Sequence, residues 1–131
     1  HFKRINDSYG HAFGDQVLRA VAQVLKALTP EGGLAARVGG EEFALLLPGL
    51  PLAQAQALAE KLRTTVAASR IRRKNSDGDE RITVSLGVAQ FLQQTAGSDL
   101  SVDEAPADFV DRADRALYAA KQAGRDRVMV G

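Results

Sequence analysis

The chain has 131 residues, 45% of them hydrophobic and 25% charged, enough for one compact domain with its own core and too few to suggest two. Its 17 Lys and Arg nearly cancel its 16 Asp and Glu, so it lacks the overall field that holds a nucleic acid, and no apolar run approaches the roughly 20 residues of a membrane span. The absence of cysteine excludes a disulfide framework and a thiolate zinc site, in keeping with a reducing cytoplasmic setting.

The sequence opens at His1 without Met or signal segment, so it is expected to be a piece of a longer protein. Residues His1 to His11, followed by Gly14-Asp15, are polar, turn-rich and dense in hydrogen-bonding side chains. From Asp15 to Leu28, Val17, Leu18, Val21, Val24, Leu25 and Leu28 follow helical spacing, and Pro30 stands just past the end. Two short apolar runs, Leu34 to Val38 and Glu41 to Leu47, flank Gly39-Gly40; such a pair tolerates the positive φ of a tight turn, so the segment predicts a β-hairpin. Pro51 suits a first helical turn, and Leu52, Ala55, Ala59, Leu62 and Val66 then line one face of a second helix. After an Asp77-Gly78 turn signal, Ile82, Val84, Leu86 and Val88 alternate with Thr83, Ser85, Gly87 and Ala89 as a strand does. Residues from about Gln93 to Pro106 read as a loop. A third helix follows from about Ala107 to Ala123, with Leu117 and Tyr118 expected in the core and Gly124 ending it. The last element is a strand from Arg127 to Val130.

The order is helix, hairpin, helix, strand, helix, strand. With one further strand before His1 the core becomes βαββαβ, an α+β architecture with helices packed on an antiparallel sheet in which the missing first strand is central. Residues 1–131 therefore read as one domain, N-terminally truncated.

Three clusters carry candidate chemistry. In Gly39-Gly40-Glu41-Glu42-Phe43, adjacent carboxylates follow a two-glycine turn although strands disfavour glutamate. A turn presents Glu41 at the mouth of the sheet as a Mg²⁺ ligand, and the bare glycines let a nucleotide approach; a solvated hairpin with surface acids is the alternative. Asn6 and Asp15 offer the amide and carboxylate that pair with a guanine edge. Equally, Asp15 suits a helix N-terminus and Asn6-Asp7 a turn. Lys121 and Arg125, four apart around a helix end, suit either a triphosphate or the negative end of the helix dipole. The basic run of Arg70, Arg72, Arg73 and Lys74 lacks interleaved aromatics and reads as a solvated edge.

Four ordered segments, HFKRINDSYGHAFGD, ARVGGEEF, TVSLGVA and ADRALYAAKQAGRDRV, resemble the GGDEF domain family of diguanylate cyclases over essentially the whole chain. The resemblance implies a polymerase-palm-like fold and a reaction in which two GTP condense into cyclic di-GMP with loss of pyrophosphate. It makes Glu41 a ligand of the catalytic Mg²⁺ (Mn²⁺ being an alternative ion) and Glu42 a second acid near the reacting hydroxyl. Asn6 and Asp15 would read the guanine, and Lys3, Lys121 and Arg125 would contact phosphates. The backbone around His1 and Phe2 would lie near the triphosphate, and His11 near the sugar or base. Each domain would hold one GTP, so a second GGDEF domain is the implied partner, with a sensory or dimerising module upstream and no membrane insertion of the domain itself. The parent protein is expected in the cytoplasm or as the cytoplasmic part of a membrane-attached protein. Two departures stand out. The family's metal-binding aspartate before the position of His1 is not in this sequence. The window for an Arg-x-x-Asp product-inhibition site reads Pro30-Glu31-Gly32-Gly33, so no inhibition is expected there, while Arg37 retains a weaker secondary contact. The rival readings are a non-catalytic module of the same fold that responds to GTP or cyclic di-GMP, and an interaction domain without a nucleotide site.

Overall fold

The computed structural model describes residues 2–72, 79–91 and 105–131. The expected Asp77-Gly78 turn, Arg73, Lys74 and the expected loop up to residue 104 lie outside them. The elements are α1 (Phe2–Tyr9), α2 (His11–Leu28), β1 (Leu34–Arg37), β2 (Phe43–Leu46), α3 (Leu52–Ala68), β3 (Arg70–Arg72), β4 (Asp79–Arg81), β5 (Leu86–Val88), α4 (Pro106–Gln122) and β6 (Val128–Val130). The class is α+β, and the chain divides into two compact units.

The first unit holds His1–Leu50 and Thr64–Thr83. Its first element corrects the sequence reading, because Asn6-Asp7 is not a turn but the middle of helix α1. Phe2, Ile5, Asn6 and Tyr9 are spaced as one helical face, and the Tyr9 ring meets Phe13 edge-on with centroids 5.5 Å apart. Gly10, at φ 88°, turns the chain into α2, whose Phe13, Gly14, Val17, Leu18 and Leu25 are buried. Burying a side chain such as Leu18 contributes about 1.5–3 kcal/mol. Val66, Ile71 and Ile82 are the other buried apolar side chains here. β1 and β2 pair antiparallel from Leu34↔Leu46 to Arg37↔Phe43. β3, formed at the start of the basic run, pairs antiparallel with β4.

The second unit holds Pro51–Arg63 and Val84–Gly131. The expected strand over 82–89 is shorter than its alternation suggests. Residues 82–85 have no ladder, and β5 alone pairs, with β6. That ladder is parallel, from Leu86↔Val128 to Val88↔Val130, whereas β1–β2 and β3–β4 pair antiparallel. Parallel strands need a long crossover, which α4 supplies. Gly87 permits the contact of β5 with α4: a Cβ there would lie 2.2 Å from the Ala113 carbonyl oxygen. Ala59, Leu62, Ala116 and Ala120 are buried. Tyr118, expected in the core, is 66% exposed, because small alanines two residues either side of it take the packed face. Leu117 is half-buried. No helix among the described residues is long and apolar enough to cross a membrane.

Candidate functional site

An open cleft of about 490 Å³ in the first unit is lined by Phe2, Asn6, His11, Asp15, Leu18, Arg37, Gly40, Glu41 and Glu42. It gathers most of the residues singled out in the two N-terminal clusters. Helix α1 contributes Phe2 and Asn6, α2 contributes His11 and Asp15 from its first five residues, and the β1–β2 connection contributes the two carboxylates. Asp15 is not in the first turn of α2, which begins at His11 and has no acid there, so the helix-dipole reading of Asp15 loses its basis.

The glycines of the β1–β2 connection act otherwise than expected. Neither Gly39 nor Gly40 has a positive φ. The loop is instead closed by Val38 N–H and Gly39 N–H donating to the Glu42 carbonyl at 2.9 and 3.3 Å. Arg37 clamps it further: its Nε donates to the carbonyls of Gly39 and Gly40, each at 3.1 Å, and its Nη2 donates again to Gly40. A Cβ on Gly40 would meet nothing within 4 Å. Neither backbone strain nor internal packing therefore demands glycine at position 40, and Glu41 and Glu42 stand exposed at the cleft.

Where α1 meets α2, a Cβ on Gly14 would lie 1.8 Å from Asn6 Oδ1 and 3.2 Å from Phe2 Cζ. The missing side chain lets the Asn6 amide lie directly on α2. There Oδ1 is buried without a hydrogen-bond partner, a state that costs about 1–3 kcal/mol. Sequence reasoning missed Gly14 and the clamping role of Arg37. The available signal for Gly14 was a lone glycine inside an otherwise amphipathic helix, which usually has a packing reason.

Three carboxylates, Asp15, Glu41 and Glu42, share the cleft with one guanidinium, Arg37. A polyanion entering such a cleft needs a cation to accompany it, and hard carboxylate oxygens suit Mg²⁺. Among the described residues no group of three His, Cys, Asp or Glu is close enough to hold a metal by itself. Mg²⁺ commonly takes one or two carboxylates and completes its shell with water and substrate phosphates, so the donors present fit such an ion.

Lys121 and Arg125 belong to the second unit, in and just past the last turn of α4. Lys3 lies in α1, and its side chain is outside the described residues.

The sequence profile of the family described as "Diguanylate cyclase, GGDEF domain" matches residues 1–127. The chain belongs to the GGDEF domain family. It is 47% identical over 128 residues to diguanylate cyclase DgcM of Escherichia coli, covering 98% of this chain and 28% of DgcM. Among solved structures, the GGDEF domain of DgcB from Caulobacter crescentus in complex with c-di-GMP superposes with a TM-score of 0.86 at 38% identity, covering 99% of this chain and 71% of that one. The active GGEEF domain of a diguanylate cyclase from Vibrio cholerae superposes at 0.82 with 35% identity, covering 99% and 76%. This GGDEF domain spans about a third of the length of the curated relatives it matches.

Proposed function

We propose that this GGDEF domain is a diguanylate cyclase that condenses two GTP into one cyclic di-GMP and two pyrophosphates, working as a dimer of domains. The observation that carries this reading is the shared cleft, where an orphaned, buried Asn6 Oδ1 and the Asp15 carboxylate lie in one site with Glu41 and Glu42. The Asn6 amide has no internal hydrogen bond to lose, so turning towards a ligand's donors costs only its packing against Gly14. The ring NH and exocyclic amine of guanine are such donors, and Asp15 accepts alongside. His11 is assigned to the sugar or base, and Phe2, Gly39 and Gly40 to backbone approach along the triphosphate. Lys3, Lys121 and Arg125 are assigned to the phosphates.

In each transfer the 3′-oxygen of one GTP bonds to the α-phosphorus of the other, the bond from that phosphorus to the bridging oxygen breaks, and pyrophosphate leaves. A repeat of the step closes the ring. Glu41 would hold Mg²⁺ or Mn²⁺, which when bound would supply charge neutralisation on the transferred group and a lower hydroxyl pKa. Glu42 is assigned to take the proton that the hydroxyl loses. The polar cleft orients the base, and Arg37 keeps the carboxylate loop in one shape. A second GGDEF domain brings the second GTP. An upstream sensory or dimerising module in a cytoplasmic setting completes the proposed whole protein.

Incubation of the full-length protein with GTP and Mg²⁺ followed by mass spectrometry tests the reading. Cyclic di-GMP is the expected product, and Glu41→Gln should abolish it while leaving the circular dichroism spectrum unchanged. Binding of GTP without turnover would instead favour a non-catalytic module of the same fold.

A further inference from the structure

We propose that Arg63, on α3, is a positioning residue that fixes the backbone from which Arg125 presents its guanidinium to a triphosphate. This rests on the assignment of Arg125 to the phosphates made above.

The residues after α4 have an uncommon backbone. Gly124, Arg125 and Asp126 follow one another with φ of 116°, 63° and 46°. Glycine takes such angles freely, but the two residues after it do so only where their surroundings hold them. The backbone secures the first of them. Arg125 N–H donates to the Ala120 carbonyl at 2.9 Å, and Gly124 N–H to that of Lys121 at 3.4 Å, the paired reverse bonds that end a helix at a left-handed glycine. The Arg125 carbonyl accepts from Arg127 Nε at 3.0 Å.

Asp126 is held differently, through its side chain. Its Oδ1 accepts from Arg63 Nη1 at 2.9 Å, across 63 positions of sequence. Arg63 is itself oriented by Glu60, one turn earlier on α3, whose two carboxylate oxygens accept from Nε at 3.0 Å each. The planar guanidinium joins both carboxylates in one fixed fork, which a lysine at this position would not reproduce. Arg63 and Asp126 are only 22% and 32% exposed at their side chains, whereas the Arg115–Asp111 pair on α4 is 79% and 51% exposed. Screening by water therefore weakens the first pair less.

These bonds leave a specific remainder. Among the described residues, the side chains of Lys121 and Arg125 make no ion pair or hydrogen bond, while Arg63 and Arg127, which contact this segment, are engaged. The segment is braced by two arginine side-chain contacts and two backbone hydrogen bonds, and Lys121 and Arg125 are its two uncommitted cations. The brace at Asp126 comes from α3 and touches no proposed substrate atom.

Calorimetric titration of the chain with Mg²⁺ and the α,β-methylene analogue of GTP, set against GMP, tests the role. Arg63→Ala is expected to weaken the analogue about tenfold while changing GMP affinity less than about twofold, since GMP lacks the outer phosphates. Adding Asp126→Gly to Arg63→Ala should restore most of the loss, because glycine takes the left-handed conformation unaided. Equal weakening of both ligands, or no weakening of either, would overturn the proposal. If Arg63→Ala does not fold, Asp126→Gly alone decides: it should bind the analogue within about twofold of the parent, and a tenfold loss would overturn the role. A parent protein that binds the analogue no better than GMP would remove the triphosphate reading itself, and this role with it.

Discussion

A single absent methyl group at Gly14 determines how α1 meets α2. The place its Cβ would take is 1.8 Å from Asn6 Oδ1, far inside contact distance. Gly14→Ala is therefore expected to destabilise the fold by about 1–3 kcal/mol, read from urea denaturation, even though alanine favours a helix interior. Unchanged stability would mean that Asn6 is not packed there. Gly40 is the opposite case, with open space at its Cβ and no positive φ. Gly40→Ala should leave stability within about 0.5 kcal/mol and still lower cyclic di-GMP formation, as expected of a glycine kept for a ligand's approach. Asn6, Asp15, Glu41 and Glu42 stand out in the sequence by their side-chain chemistry and His11 only by the family resemblance, and all five line one cleft. The clamp by Arg37 and the space beside Gly14 were not legible, because both are relations across the chain that no local pattern encodes.

At the scale of elements, the long amphipathic helices were legible from periodicity, and α2, α3 and α4 all form where it placed them, within a few residues. Helix α1 was hidden because its apolar face is short and its polar residues resemble a turn. The strand over 82–89 was overread, since alternation reports which face of a segment is buried and not whether a partner completes its ladder. On α3, the hydrogen bond from Arg63 holds the Glu60 carboxyl below its ordinary range. A folded-state pKa below the unfolded one means that this contribution is present above the ordinary glutamate range and is lost as the pH falls through the lowered folded value. Carbon-detected NMR titration should find the Glu60 midpoint rising when Arg63 is changed to Ala. The same midpoint in both proteins would contradict the pairing.

For the whole molecule, the proposed chemistry needs two nucleotides from two domains, so one domain alone is incomplete. Cyclic di-GMP formed per mole of chain should rise with chain concentration at saturating GTP and level off once domains are paired. A rate per mole independent of concentration from nanomolar dilution upwards would contradict a dimeric mechanism. The family match over residues 1–127 takes in nearly the whole chain, which spans about a third of the length of the curated relatives.

The cleft's claim on guanine rests most heavily on the Asn6 amide. Two-dimensional NMR of the protein labelled with ¹⁵N, titrated with the methylene analogue of GTP and separately with ATP in the presence of Mg²⁺, observes that group itself. The Asn6 side-chain amide and the Gly40 backbone amide are expected to shift together with the guanine nucleotide and much less with ATP. Equal shifts with both nucleotides, or a guanine response that leaves Asn6 unmoved, would contradict it.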